Sequence, residues 1–207
     1  MDKPLSRRER KKDKTRQALV EVASRLFAER GIYATRVEDI TERSDLGKGA
    51  FYNYFESKNA LIAELLVRGI ELLHREYVRD LATTSQSSRI ASLVTAHEAF
   101  FDDHPVYVLL FHQARGLASM KAGGHEVLTA VFVDYLRRTG ELIVSPEDRT
   151  HIDPSDLMDV AALLLGAVAG HRSFRGAGGL GLRSSVVTEA LLAGIPTALA
   201  ARVRKPT

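Results

Sequence analysis

Apolar residues recur along this chain at the spacing of helices, and almost nowhere with the alternation of strands. Ala18, Leu19, Val22, Ala23, Leu26 and Phe27 form one stripe of a first helix expected over 12–30, with Gly31 ending it at a C-cap. Val37, Ile40 and Thr41 share a face of a short helix that runs to about Arg43. Leu61, Leu65, Ile70, Leu72 and Leu73 make the inward side of a long helix over 57–81. A polar loop, TTSQSS, follows at 83–88; then come helices over 89–103, 106–117 and 126–142, punctuated by Pro105 and by Gly123-Gly124. After a second loop at 145–156, the segments 156–174 and 185–203 are apolar on most sides, which requires burial. Pro196 lacks the amide donor and should kink or interrupt the last of them. The pattern predicts an all-α protein.

The stretch from Thr35 to Lys58 carries the densest local signals. Thr35 and Glu38 have the spacing of a capping box, which would satisfy the first amides of the short helix. Ser44-Asp45-Leu46 is a three-residue connection in which Asp45 tolerates a left-handed conformation and Leu46 can plug the angle between two helices. A second short helix would begin near Gly47 and carry Lys48, Gly49, Ala50, Phe51, Tyr52, Asn53 and Tyr54, before Glu56 and Ser57 break it. Ser57 can cap the next helix. Two short helices joined this way form a helix-turn-helix, whose second helix enters the DNA major groove.

The run GKGAFYNYFESKNALIAELL, preceded by LFAERGIYATRVEDI, resembles the amino-terminal domain of TetR/AcrR-type transcriptional regulators across roughly residues 15 to 65. Beyond it the likeness is one of length and helical pattern. Three positions depart from the family: Gly47 and Ala50 stand where it usually has Ser or Thr, and Asp45 where it commonly has Gly. Gly at an N-cap costs only a few tenths of a kcal/mol, whereas the hydroxyl missing at Ala50 removes one donor to phosphate or base. The resemblance implies a helix-turn-helix DNA-binding domain over 15–57, behind a basic flexible arm over 1–14, and a helical effector-binding and dimerisation domain over 58–207. Lys48, Tyr52 and Asn53 are then expected on phosphate, and Lys58 joins them from the first turn of the following helix. Arg36 is placed to touch backbone or base. Gly47, Gly49 and Ala50 would line the close approach, where thymine methyls and DNA shape add to hydrogen-bond reading.

Charge supports a DNA partner through its distribution. Residues 1–16 carry a net +5 and the remaining 191 residues a net −2. A basic arm beside a helix-turn-helix suits phosphate contact or a reach into the adjacent minor groove. With no Cys, a disulfide scaffold and a thiolate metal site are excluded, and a reducing compartment is suited. No apolar run reads as approaching the roughly 18 residues of a membrane span, and the first residues lack the apolar core of a signal peptide. The expectation is a cytoplasmic protein with no membrane partner.

Two apolar terminal helices in a chain this size point to a subunit interface. One short recognition helix buries too little for a specific site, so a homodimer reading a pseudo-palindromic double-stranded operator is expected. By resemblance, the last two helices form a four-helix bundle with their partners. Other chemistry is thin. Gly176, Gly178 and Gly181 match a dinucleotide fingerprint in spacing but follow a helix where a strand is needed. His97, His104 and His112, with Asp102 and Asp103, are read as caps and pocket polarity, with no metal and no cofactor. His171 beside Arg172 has no catalytic motif behind it, so no enzyme is expected.

The middle helices carry Phe100, Phe101, Tyr107, Phe111, Phe132, Tyr135 and Phe174, with His97, His112, Gln113 and His171 as polar neighbours. Such a set fills a core or lines an apolar small-molecule pocket; the resemblance implies the pocket. Phe101, Tyr107, Phe111, His112, Phe132, Tyr135 and His171 are its candidate lining. The combined expectation is a ligand-responsive regulator, a repressor released by an unknown effector. A DNA-binding factor of the same fold without an effector, or an activator, are the alternatives.

Overall fold

The structure, a computed structural model, describes residues 6–78, 81, 85–120, 123–176 and 183–202. Gly178 and Gly181 of the glycine fingerprint, Thr83 and Thr84 of the polar loop, and Lys3 of the basic arm lie outside the described residues. Among those described there are nine α-helices and no strand.

The first helix, α1 (Arg7–Ala34), begins earlier than the apolar stripe indicates. Ser6 is the reason: its hydroxyl accepts from the Glu9 amide at 3.2 Å, and the Glu9 carboxylate accepts from the Ser6 amide at 2.7 Å. This capping box makes residues 7–14, expected as part of a flexible arm, the first turns of a helix. The helix breaks at Gly31, whose φ of 82° is open to glycine at little cost.

Helices α2 (Val37–Arg43) and α3 (Lys48–Phe51) follow, and Asp45 between them takes the left-handed conformation, φ 54°. The α2 cap sits one residue later than expected. Thr35 is buried and its hydroxyl donates back to the Gly31 carbonyl at 2.8 Å, so Asp39, not Glu38, accepts from an N-terminal amide, that of Arg36, at 2.6 Å. The recognition segment has four α-helical residues, and its chain then turns through Asn53 and Tyr54 to return an amide bond from Phe55 to the Phe51 carbonyl at 3.0 Å. Ile40, Phe51 and Phe55 are buried against Leu19, Ala23 and Phe27 of α1 in one core. Arg16 ties the head together from outside: it donates to the Glu64 carboxylate at 2.7 Å and to the Tyr54 carbonyl at 2.9 Å, and stacks 4.5 Å over the Phe55 ring.

Ser57 caps α4 (Lys58–Leu72) by accepting from the Ala60 amide at 3.1 Å. This helix ends in a π turn, Leu73–Tyr77, instead of running straight to 81. The larger domain adds α5 (Gln86–Asp103), α6 (Pro105–Ser119), α7 (His125–Ile143), a 3-10 turn at Asp148–His151, α8 (Pro154–Gly176) and α9 (Ser184–Ala200). Gly140 lets α7 approach α8 backbone to backbone, since a Cβ there would lie 2.6 Å from the Leu157 carbonyl oxygen. Helix α9 continues through Pro196.

Burial of the last two helices is one-sided. Leu157, Ala161, Leu164 and Val168 of α8, and Leu191, Ile195 and Leu199 of α9, are buried, while Leu163, Phe174 and Val186 are 55, 64 and 55% exposed. The expectation that no apolar run approaches the length of a membrane span does not hold for α8. Within Pro154–Arg175 an 18-residue stretch of α8 has mean hydropathy 1.3, so the helix is long and apolar enough to cross a membrane by length and composition, a property that the core helix of a soluble protein shares.

Candidate nucleic-acid interface and ligand cavity

At one end of the molecule, Gly47, Lys48, Gly49, Tyr52 and Asn53 form an exposed strip, with Ala50 half-buried behind them. Phe51 holds the strip in place: it is fully buried and stacks edge-on with Tyr52, ring centroids 5.4 Å apart. Tyr52 itself is 53% exposed. A Cβ added to Gly47 or Gly49 would meet nothing within 4 Å, so nothing in the described residues demands glycine there.

The cations of this surface are not equally available. Lys48 pairs with Glu38, which pushes the lysine pKa up and the carboxylate down. Glu38 therefore answers the recognition segment's own charge, and does not cap α2. Lys58 turns inward: its ammonium donates to the carbonyls of Ile32 at 3.0 Å and Thr35 at 2.9 Å, and burial pulls its pKa down. The structure does not bring Lys58 to the exposed strip; it latches the end of α1 to the start of α4. Arg36 is exposed at the start of α2.

The basic arm expected beside the motif contributes three cations to this surface. Arg8, Lys11 and Lys12 of α1 line a cleft of about 430 Å³ with Asn53 and Tyr54. Their i, i+3, i+4 spacing puts all three on one helix face, a signal readable once the helix is known to start at Arg7.

A second region lies among the middle helices. Phe101, Phe111, Phe132 and Tyr135 line a cavity of about 400 Å³ with Arg115, Ser119 and Thr129, closed on one side by Ala162, Leu165, Gly166 and Ala169 of α8. Four of the seven expected lining residues are present. Tyr107 is absent because its ring packs on Gly69 of α4, where any Cβ would collide with it. His112 lines a neighbouring cavity of about 480 Å³ with Arg172 and Arg175, and the two cavities share Phe101. His171 lines neither. The α8 wall was hidden because a helix apolar all round does not announce which face borders a void.

Behind the cavity, Tyr135 donates to His97. The His97 Nδ1 lies 2.6 Å from the Leu93 carbonyl, so it carries the proton, and Nε2, 2.7 Å from the Tyr135 oxygen, accepts. Burial lowers the His97 pKa to about 4. His97, His104 and His112 do not converge: His104 faces Tyr77, and His112 faces the second cavity.

The head and the cavity are joined through α6. Gln113, between the cavity residues Phe111 and Arg115 in sequence, accepts from the Ile32 amide at 2.7 Å just beyond the Gly31 break. Asn59 of α4 donates to the Gly124 carbonyl at the start of α7 at 3.2 Å.

Residues 19–65 match the model of the bacterial regulatory proteins of the tetR family. Over 107 residues the chain is 34% identical to the HTH-type transcriptional repressor KstR2 of Mycobacterium tuberculosis, covering 50% of this chain and 53% of that one. Over 73 residues it is 40% identical to the HTH-type transcriptional repressor DhaR of a Mycobacterium species, covering 35% and 33%. The chain thus spans about half the length of the KstR2 relatives it matches. Among solved structures, a transcriptional regulator from a Rhodococcus species superposes with a TM-score of 0.65 over 92% of this chain and 99% of that one, at 15% identity, a likeness of fold.

Proposed function

We propose that this chain, whose amino-terminal domain belongs to the tetR family of bacterial regulatory proteins, is a cytoplasmic, ligand-responsive transcriptional repressor that binds a pseudo-palindromic operator as a homodimer. The observation that carries the reading is one composite surface: the exposed strip Gly47–Asn53 beside the cleft of Arg8, Lys11 and Lys12. A recognition segment without side chains at Gly47 and Gly49 can bring its backbone close to the groove. Lys48, Tyr52, Asn53 and the three α1 cations then meet phosphate. Each phosphate neutralised releases counterions, so binding should weaken steeply with salt, by about 0.9 in the log–log slope per contact.

Two heads are needed for a specific site, and the open apolar faces of α8 and α9 favour a two-fold pairing through the last two helices. Paired heads would read successive major grooves roughly 34 to 36 Å apart. An effector in the 400 Å³ cavity touches α6, and α6 holds the head at Ile32 through Gln113. A ligand that shifts α6 therefore changes the spacing of the heads; a coupling of about 1 to 3 kcal/mol is ordinary for such switches.

The test is selection of bound duplexes from a random pool, followed by titration of the selected site at several salt concentrations. A pseudo-palindrome bound by two chains, with a steep salt slope that flattens in Lys12→Ala and an affinity that falls at unchanged slope in Tyr52→Ala, is the expected result. Recovery of no site bound more tightly than random duplex would remove the reading.

A further inference from the structure

We propose that the ligand of the 400 Å³ cavity is an amphipathic anion, an apolar body carrying a carboxylate that Arg115 receives. This rests on the reading of that cavity as the effector site. Of the lining side chains only Arg115, Ser119, Thr129 and Tyr135 bear polar atoms; the rest are hydrocarbon or aromatic.

The three hydroxyl protons are already committed. Ser119 donates to the Arg115 carbonyl at 2.9 Å, Thr129 donates to the His125 carbonyl at 3.1 Å, and Tyr135 donates to His97 at 2.7 Å. Arg115 is different: it lies half-buried on the cavity wall, and among the described residues its guanidinium enters no ion pair and no side-chain hydrogen bond. Every free donor the cavity offers thus belongs to one cation. No carboxylate lines either cavity, which disfavours a cationic ligand.

A planar fork of N–H groups against an apolar chamber matches a carboxylate on a hydrocarbon body, because the fork donates to both oxygens at once. The neighbouring cavity does not offer the same vacancy. Arg172 there is paired with Asp102, and Arg175 donates to the Ser184 hydroxyl at 3.1 Å.

Isothermal titration of the full-length protein with decanoate and with decanol separates head group from body. Decanoate should bind about tenfold or more tightly than decanol, the worth of a charge-assisted pair in a partly dry site. Arg115→Met keeps the apolar stem and should abolish that preference while leaving decanol binding intact, which also reports that the cavity has folded. Arg175→Met should leave the preference unchanged. Equal binding of the two probes to the unaltered protein overturns the anion but leaves the cavity as an effector site. Loss of the preference in Arg175→Met and not in Arg115→Met overturns the assignment to Arg115. Failure of both probes to bind removes the cavity reading, and this inference with it.

Discussion

Lys48 is the one cation on the recognition segment, and Glu38 holds it on the free protein's surface. If Lys48 meets phosphate, that pair must open first, and the carboxylate left nearby repels the same phosphate. Glu38→Gln is therefore expected to tighten operator binding and to leave the fold untouched, since both groups are exposed. Lys48→Ala should weaken binding and reduce the salt slope by about one contact, read by mobility shift across a salt series. His97 supplies a prediction of stability. Its pKa of about 4 in the folded protein lies below the ordinary histidine value of 6.5, so the unfolded chain takes up a proton first as pH falls. The stabilisation is complete above about pH 6.5, declines between there and pH 4, and is then spent, a loss of about 3 kcal/mol. Urea denaturation at pH 7 and near pH 4 measures it. His97→Gln, which cannot titrate, should remove that part of the decline; an unchanged pH dependence would mean that His97 is not buried neutral.

At the scale of elements, what was legible depended on whether a signal was local. The Asp45 turn, the Ser57 cap and the α4 stripe need only a few neighbouring residues to act, and each lies where the pattern puts it. The same S/T-x-x-E signature acts at Ser6 and fails at Thr35. At Thr35 the hydroxyl donates instead to the Gly31 carbonyl, whereas at Ser6 the reciprocal bonds with Glu9 start α1. What no local pattern carries is pairing across elements: Lys58 with the α1 carbonyls, Tyr107 with Gly69, and the α8 wall of the cavity. Gln113 is another such pairing, 81 positions from its partner Ile32. Gln113→Ala leaves the Ile32 amide without its acceptor and should cost about 1 to 2 kcal/mol in urea denaturation. Gln113→Glu keeps an acceptor and should recover most of it. If α6 is the lever of the switch, Gln113→Ala should also blunt release from the operator at saturating ligand while cavity affinity stays near normal. Undiminished release would assign the coupling to α4 and Asn59.

For the whole molecule, the decisive quantity is the apolar surface left open on α8 and α9. Leu163, Phe174 and Val186 stand more than half exposed, and a Cβ at Gly170 or Gly194 would meet nothing within 4 Å, so this surface is both greasy and unfilled. Monomers rarely leave a contiguous patch of this kind in water, and a two-fold axis covers it with a copy of itself. Charge placed near such an axis meets its own image. Leu163→Glu is therefore expected to bring like charges together in a desolvated interface and to yield a folded monomer by sedimentation, with unchanged helical circular dichroism. One head cannot span two half-sites, so operator affinity should fall toward the non-specific level, by about three orders of magnitude. The basic cleft of Arg8, Lys11 and Lys12 lies at the opposite functional end and is untouched by the change, so residual binding should keep its salt dependence. A Leu163→Glu protein that still sediments as a dimer would move the interface off this face of α8, and with it the geometry by which the cavity reaches the DNA heads.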